Sequence, residues 1–316
     1  MADQHGPYVR LWGIRPSQLP SETASAQNLT PLLQSILTEA LSFVSSVPPH
    51  SSESSSLSSS GRSTNNNGNG NSSNGPWKAK GCRAFHHSAA PVHMFERVVS
   101  AEELKAIAKD QNLPQASGGG SKIKPETWSL RRSVHEEAKK AGTADWEEWV
   151  RCFKAGHADA EMKFTPTVMG HTLKRQWDCA GVEVTVGGDT YEDLTLKLEE
   201  SVHKMPAPLN NRVFPVLQVT AAVRGRREFV VVQIAAVPET AGAEEARPDG
   251  ALRGSYTAVE RFREIDGQGN VEWVMGTVSD ARGVLPAWIQ RMAVPGQIAK
   301  DVDMFLEWIA GEREAK

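Results

Sequence analysis

The sequence predicts an α+β domain. Three observations support this prediction: segments of alternating apolar residues follow one another as strand pairs, two helical patterns are inserted between early strands, and one long helical pattern closes the chain. Strands and helices do not alternate as in a βαβ array, and no internal repeat is visible. The 316 residues suffice for one core of useful size with tails or inserts around it.

Composition limits the classes of partner and the compartment. Lys and Arg total 35 against 38 for Asp and Glu, so the net charge of -3 provides no overall field to hold nucleic acid. The three cysteines, Cys82, Cys152 and Cys179, are too few for a disulfide framework, which indicates a reducing compartment. The N-terminus lacks the pattern of a secretion signal, and no apolar run approaches the roughly 18 residues that span a bilayer. We therefore expect a cytoplasmic protein.

The N-terminal region predicts one helix followed by a disordered insert. Residues 31–44 carry apolar side chains at helical spacing, with Thr30 as the N-cap and Pro31 at the first helical position. The tract of Ser, Asn and Gly that follows has no periodic pattern of apolar side chains whose burial would offset the entropy of ordering it. The expected division is an N-terminal segment (1–44), a disordered insert (45–76), a folded domain (77–312) and a tail (313–316).

The first part of the folded domain predicts short helices around a strand. A helix is expected over 101–109, and the Gly-rich stretch 115–121 lacks the spacing of a phosphate-binding loop and the strand before it. Residues 126–135 alternate as a strand. Asp145 and Glu148 form a capping-box pattern, which predicts a helix that runs toward Lys163.

The second part predicts strands with one further helix between them. Strands are expected over 167–177 and 181–186, and a helix is expected from Tyr191 to about His203, ended by Pro206 and Pro208.

The last part predicts two hairpins and a terminal helix. Residues 213–223 and 228–237 flank a basic turn, a polar insert covers 239–250, and residues 255–265 and 271–279 flank a turn rich in Gly. A long helix with an apolar stripe follows, and Pro295-Gly296 is expected to kink or divide it. The stripe comprises Leu285, Trp288, Ile289, Met292, Ile298, Val302, Phe305, Leu306 and Ile309.

Several phrases of the sequence resemble the START-like, helix-grip (SRPBCC-type) superfamily. They are residues 279–283, 285–289 and 301–308, the lead-in 207–214, and the stretches 128–135, 145–149 and 271–280. The last three look like a fungal branch that has no assigned function, and the resemblance covers roughly residues 77–312. It implies a curved antiparallel sheet wrapped around a long C-terminal helix, with short inserted helices. The resemblance is weak evidence for function, because this superfamily includes carriers, receptors, cyclases and chaperone cofactors.

A helix-grip fold leaves a hollow between sheet and helix, and the predicted binding residues are those expected to line it. Each is explained equally by plain core packing. The apolar candidates are Trp128, Met169, Leu173, Trp177, Phe262, Trp273, Met275, Trp288, Met292 and Ile298.

Polar residues on the inward faces are more informative. Arg132 shares a strand face with Trp128, and Glu260 shares one with Phe262, so the two charges are expected to pair across the hollow, because a buried charge is costly alone. A β-bulge that turns one of them outward is the alternative. His171 lies among apolar neighbours, where a hydrogen-bonded core histidine is the commoner case.

Metal and catalytic patterns are poor. Cys82, His86, His87 and His93 cluster without any usual zinc spacing, and no nucleophile elbow occurs. We expect no metal and no cofactor. The basic turn 224–227 is expected to be a solvated hairpin tip, with transient contact to anionic lipid headgroups as the alternative.

The resemblance and the apolar lining together imply a domain that binds a hydrophobic ligand, a lipid or sterol-sized metabolite, without chemical turnover. The C-terminal helix would act as a lid. Two other functions stay open: a cyclase- or aromatase-like enzyme that uses His171, Glu260 or Arg132 in the same hollow, and an interaction domain whose hollow is filled by its own side chains.

Overall fold

A computed structural model describes residues 6–48, 75–113, 123–239, 250–282 except 266 and 268, and 287–315. Within the last range, the side chains of 287, 288, 290 and 291 are not described. Four predicted features lie outside the described residues: most of the insert 45–76, the whole Gly-rich stretch 115–121, nearly all of the insert 239–250, and the Trp288 side chain. The α+β prediction is confirmed: a large curved antiparallel sheet packs against a C-terminal helix.

The strands form one sheet in the order β1-β2-β3-β11-β10-β8-β7-β6-β4. Neighbours along this path are antiparallel, β5 pairs with β6, and β9 pairs with β7 in parallel. The strands are β1 (Lys78–Arg83), β2 (Val92–Val99), β3 (Glu126–Glu136), β4 (Val168–Trp177), β5 (Val184–Val186), β6 (Asp189–His203), β7 (Arg212–Val223), β8 (Glu228–Ala235), β9 (Leu252–Arg253), β10 (Ser255–Ile265) and β11 (Asn270–Asp280).

The helices lie at both ends of the chain and in the two early connections. They are α1 (Ala26–Ser45), α2 (Ala101–Asp110), α3 (Trp146–Trp149), α4 (His157–Phe164) and α5 (Ala287–Glu314). A π-helical segment, Val150–Ala155, connects α3 to α4. The predicted capping box is present, since the Asp145 side chain accepts from Glu148 N at 2.9 Å.

Both faces of the sheet are covered. One face, here called the α1 face, packs against α1, where the Phe43 ring lies 5.2 Å from Trp77 and 4.5 Å from Trp128 between centroids. The other, the α5 face, packs against the second half of α5 and the π-helical segment. Strand residues are therefore buried on both sides, and alternation alone does not reveal which face a residue occupies.

Four expectations about elements need correction. Residues from Tyr191 to His203 form part of β6, because Leu194, Leu196 and Leu198 repeat with the period of a strand, and Leu196 and Leu198 pair in register with β7. Helix α1 begins at Ala26, five residues before Pro31. The helix expected from Asp145 toward Lys163 is interrupted at Gly156, and of the two outcomes expected at Pro295-Gly296 the division of α5 is wrong, since the helix continues through Pro295.

Strands β1 and β2 were not predicted. All six residues of β1 are exposed at the sheet edge, so no apolar pattern marks the strand, whereas β2 is largely buried.

Candidate functional site on the α5 face

Register across the central strands arranges the α5 face in three rows of side chains. Residues paired directly across antiparallel strands share a face, and a step of two residues along each strand leads to the next row. The aromatic row contains Phe229, Phe262, Trp273 and Ser133. The charged row contains Val231, Glu260, Met275, Arg131 and Met94. The amide row contains Gln218, Gln233, Ala258, Thr277 and Ser129.

The aromatic row is packed solid. Phe262 stacks on Phe229 at 4.6 Å and on Trp273 at 5.3 Å between ring centroids. Phe305 of α5 lies 4.9 Å from Trp149, which in turn contacts both Phe262 and Trp273. Ring contacts of this kind stabilise beyond the area they bury. This part of the space between sheet and helix is a core and offers no room for a ligand.

Glu260 is the centre of the charged row. The Trp273 indole Nε1 donates to Glu260 Oε2 at 2.8 Å, and His157 Nε2 lies 3.5 Å from Glu260 Oε1. The Arg131 guanidinium Nη2 is 4.0 Å from Oε2. Burial raises the pKa of Glu260, but its contacts with His157, Arg131 and Trp273 outweigh this, and the pKa lies below its usual value. Glu260 is therefore an ionised carboxylate held by three elements of the fold.

Arg131 is the least satisfied charged group of this site. Its side chain is 2% exposed, and its guanidinium carbon lies 3.7 Å from the centre of the Trp273 ring. Among the described residues, its Nε and Nη1 atoms have no hydrogen-bond partner, although both are buried. The same holds for Nδ1 of His157. Buried donors without a partner are rare in proteins, and they point to a bound water or ligand.

Two carboxyl groups act electrostatically on Arg131: Glu260 and, on α5, Asp301. Burial raises the pKa of Asp301 to about 7; Arg131 opposes this, while Glu161 and Glu260 add to it. Burial also raises the pKa of Tyr256 well above its usual value, and Glu161, Glu199 and Glu260 raise it further. This excess of carboxyl groups does not favour an anionic ligand.

The amide row places two glutamines side by side. Gln218 of β7 pairs in register with Gln233 of β8, and their exposed fractions are 2% and 7%. Among the described residues neither side-chain amide forms a hydrogen bond, and Nε2 of Gln218 is fully buried.

The structure brings together only some of the residues predicted to line the hollow. Glu260, Phe262, Trp273 and Met275 lie on the α5 face. Three others lie on the α1 face or its core: Trp128, Arg132 and Trp177. Met169 and Met292 are 57% and 73% exposed, Leu173 is exposed, and His171 is partly exposed beside Met162 and Asp159. Ile298 packs in the α5-face core.

The predicted pairing of Arg132 with Glu260 is wrong. Arg132 Nη1 donates to the Pro48 carbonyl at the end of α1, and its guanidinium lies 5.5 Å from the Phe95 ring. Helix α1 covers this face, which is why Trp128 and Leu130 are buried there. The preceding residue, Arg131, is the one that faces Glu260.

Sequence reasoning missed Arg131, His157, Asp301, Gln218 and Gln233. The sequence does contain a signal for the two glutamines. Each interrupts a stretch in which all the remaining side chains are apolar or small: VLQVTAAV and VVVQIAAV. The amide in such a position has to be satisfied by something other than the core.

Two other parts of the surface carry fewer indications of a ligand. An open cleft of about 520 Å³ is lined by residues 176–183 and 192–195. Its acidic residues Glu183 and Glu192 pair with Arg224, and Asp193 pairs with Lys154. The basic turn is likewise ion-paired, since Arg227 Nη1 lies 2.8 Å from Glu137.

No group of His, Cys, Asp and Glu within the described ranges has the geometry of a metal site. Among the helices described, none is long and apolar enough to cross a membrane.

Comparison with known proteins gives a family and several likenesses of overall shape. The profile of a family described as "Protein of unknown function (DUF3074)" matches residues 128–309. No curated protein matches the sequence.

Three human structures illustrate the likeness of shape. STARD10 is 11% identical, with 76% of each chain covered and a TM-score of 0.48. The StarD13 lipid transfer and protein localization domain is 12% identical, with 74% of this chain and 88% of that one covered and a TM-score of 0.44. StAR-related lipid transfer protein 5 is 13% identical, with 76% and 88% covered and a TM-score of 0.45.

Proposed function

We propose that this chain, which belongs to the DUF3074 family of proteins of unknown function, binds a small amphipathic molecule on the α5 face without chemical turnover. The polar end of the ligand would accept hydrogen bonds from Arg131. Its apolar body, of the size of a lipid or sterol-like metabolite, would lie against side chains of the α5 face outside the packed aromatic row. Burying that body contributes roughly 25 cal/mol per Å² of apolar area before the costs of association.

The observation that carries this proposal is the pair of buried, unpartnered donors on Arg131. A guanidinium offers five N–H donors in a fixed plane, and Glu260 lies near only one of its nitrogens. An acceptor such as a carbonyl or hydroxyl oxygen would satisfy Nε and Nη1 and remove the cost of leaving them unpaired. The carboxyl groups around the site favour an uncharged polar end over an anionic one.

The test compares two adjacent arginines on opposite faces of one strand. The probe is a monoacylglycerol with a fluorescent nitrobenzoxadiazole label at the end of a twelve-carbon chain, titrated with the full chain. Arg131→Met should weaken binding at least tenfold, which corresponds to about 1.4 kcal/mol. Arg132→Met is the matched control and should leave the affinity within about twofold. Equal effects of the two variants, or no binding to the wild-type chain, would contradict the proposal.

A second candidate function, an acid-base enzyme, is favoured by one observation. His157 and Glu260 are both buried, and their side chains lie 3.5 Å apart, which is the arrangement of a histidine oriented by a carboxylate. In such an enzyme His157 would take the role expected for His171. Mass spectrometry of the bound probe after long incubation separates the two functions. An unchanged probe supports binding alone, and a product that is absent with His157→Asn supports the enzyme.

A further inference from the structure

We infer that Gln218 and Gln233 form a second polar anchor on the α5 face and select ligands that carry hydroxyl or amide groups. This inference rests on the proposed function and deepens it, because it specifies the chemistry of the ligand's polar part. The class of ligand is an uncharged amphiphile with hydrogen-bonding groups at more than one position.

The environment of the two amides supports this role. Both side chains lie on central strands of the sheet, more than nine-tenths buried, and their backbones are neighbours in register. An amide that leaves water without a replacement hydrogen bond destabilises the fold by about 1–3 kcal/mol. Leucine would fill a similar volume at no such cost, so two neighbouring glutamines at these positions need another reason.

The buried hydroxyl groups near the two amides all have hydrogen-bond partners. Thr220 of β7 bonds to Thr195 at 2.8 Å between their hydroxyl oxygens, and Thr277 donates to the Thr257 carbonyl at 3.1 Å. Ser133 lies 2.8 Å from Nε2 of His135. Within the described part of the chain, the two glutamines differ from these residues in lacking any partner.

The position of the amides relative to Arg131 sets the shape of the ligand. Gln233 is three strands from Arg131, through β10 and β11, and one row of side chains along the strands, which amounts to about 16 Å between backbones at the usual spacings. A ligand whose acceptor lies at Arg131 would place a second polar group, further along its body, at the glutamines.

The experiment compares two uncharged probes that differ only in hydroxyl groups. These are the labelled monoacylglycerol introduced above and the propyl ester of the same labelled acid. The wild-type full chain should bind the glyceryl ester about five- to tenfold more tightly, as expected for one or two net hydrogen bonds. Gln218→Leu and Gln233→Leu should reduce that ratio to below about twofold by weakening the glyceryl ester alone. The unfolding midpoint of Gln218→Leu should be equal to or higher than that of the wild type, because this variant removes a buried Nε2 atom that has no partner.

Thr220→Val is the matched control. It removes a hydroxyl from the same strand that already has a partner, so it should lower stability and leave the ratio unchanged. If Gln218→Leu does not fold, Gln218→Met makes the same change with a flexible side chain. A ratio near one in the wild type, or a ratio that survives both glutamine variants, would overturn the inference and leave the proposed function standing. Absence of binding by both esters would instead overturn the proposed function.

Discussion

At the scale of single residues, Glu260 and Arg131 depend on each other. Glu260 is buried and ionised, and the nearest permanent cation is Arg131, whose own charge is buried beside it. Removing one partner leaves the other charge without compensation in a medium of low polarity, whereas removing both also removes the cost of burying them.

A double-mutant cycle with Arg131→Met and Glu260→Gln should therefore show coupling. We expect an interaction free energy of about 0.5–3 kcal/mol. The losses of unfolding free energy in the two single variants should add up to more than the loss in the double variant. Chemical denaturation of the four proteins measures it. The cycle of Arg132→Met with Glu260→Gln is the control and should be additive within about 0.5 kcal/mol, because Arg132 lies on the other face. Coupling in the control cycle and none in the first would refute this assignment of the pair.

Asp301 should make stability depend on pH. Burial raises its folded-state pKa to about 7, above the unfolded value near 4, so the folded protein binds this proton more tightly. Its contribution to stability is therefore present below about pH 4 and is lost as the pH rises toward 7. Relative to Asp301→Asn, the wild type should lose unfolding free energy over this interval by at most about 1.4 kcal/mol per pH unit.

Glu39, whose pKa burial also raises to about 7, titrates in both proteins and cancels in that comparison. Unfolding curves of wild type and Asp301→Asn at pH 4, 5.5 and 7.5 give the difference. A difference that is constant, or that grows in favour of the wild type with rising pH, would contradict the assignment.

The sequence predicts the arginine that pairs with Glu260 only to within one residue. Alternation showed that Arg132, Leu130 and Trp128 share a face, and this is correct. It did not show which face, because α1 and α5 bury opposite sides of the same strand. A double arginine at positions 131 and 132 places one guanidinium on each side, so only tertiary packing identifies Arg131 as the partner of Glu260.

At the scale of elements, β6 shows why a helical pattern is an insufficient signal. Its charged residues and leucines fit a helix by composition, but Leu194, Leu196 and Leu198 alternate, and β7 provides an apolar strand for the ladder. The hairpins β7–β8 and β10–β11 were predicted correctly because turn residues separate two apolar runs. Strand β1, whose only apolar side chains are those of Ala79 and Cys82, carries no comparable signal.

Helix α1 depends on the absence of a side chain at Gly276. A Cβ built at this position of β11 would lie 2.9 Å from Cε1 of Phe43 and 3.2 Å from Leu130 Cδ1. Gly276→Ala should therefore displace Phe43 and lower the unfolding free energy by about 1–3 kcal/mol, in the usual range for overpacking. Gly170→Ala in β4 is the matched control, since nothing lies within 4 Å of its built Cβ. Thermal unfolding of both variants checks this, and equal midpoints would show that α1 accommodates the methyl group.

At the scale of the whole molecule, the chain leaves α1 and returns to β1 at nearly the same place. The Trp77 indole donates to Ser46 Oγ at 2.8 Å, and a Cβ built at Gly75 lies 3.8 Å from the Ser46 carbonyl. The ends of segment 49–74 are thus close together, and loop length costs only about 0.6 kcal/mol per doubling.

Replacing 49–74 with a four-residue Gly-Ser linker should leave the unfolding midpoint nearly unchanged. This prediction follows from the Ser, Asn and Gly composition of the segment and from the proximity of its ends. A chain with the same residues in scrambled order is the control and should behave alike. A fall of many degrees for the linker variant would show that the segment packs on the domain.

Native mass spectrometry of the freshly purified protein shows whether the α5 face holds a ligand through Arg131. We expect the wild type and Arg132→Met to carry the same added small-molecule mass, and Arg131→Met to carry little or none of it. A wild-type chain without added mass, or the same added mass on Arg131→Met, would contradict the claim.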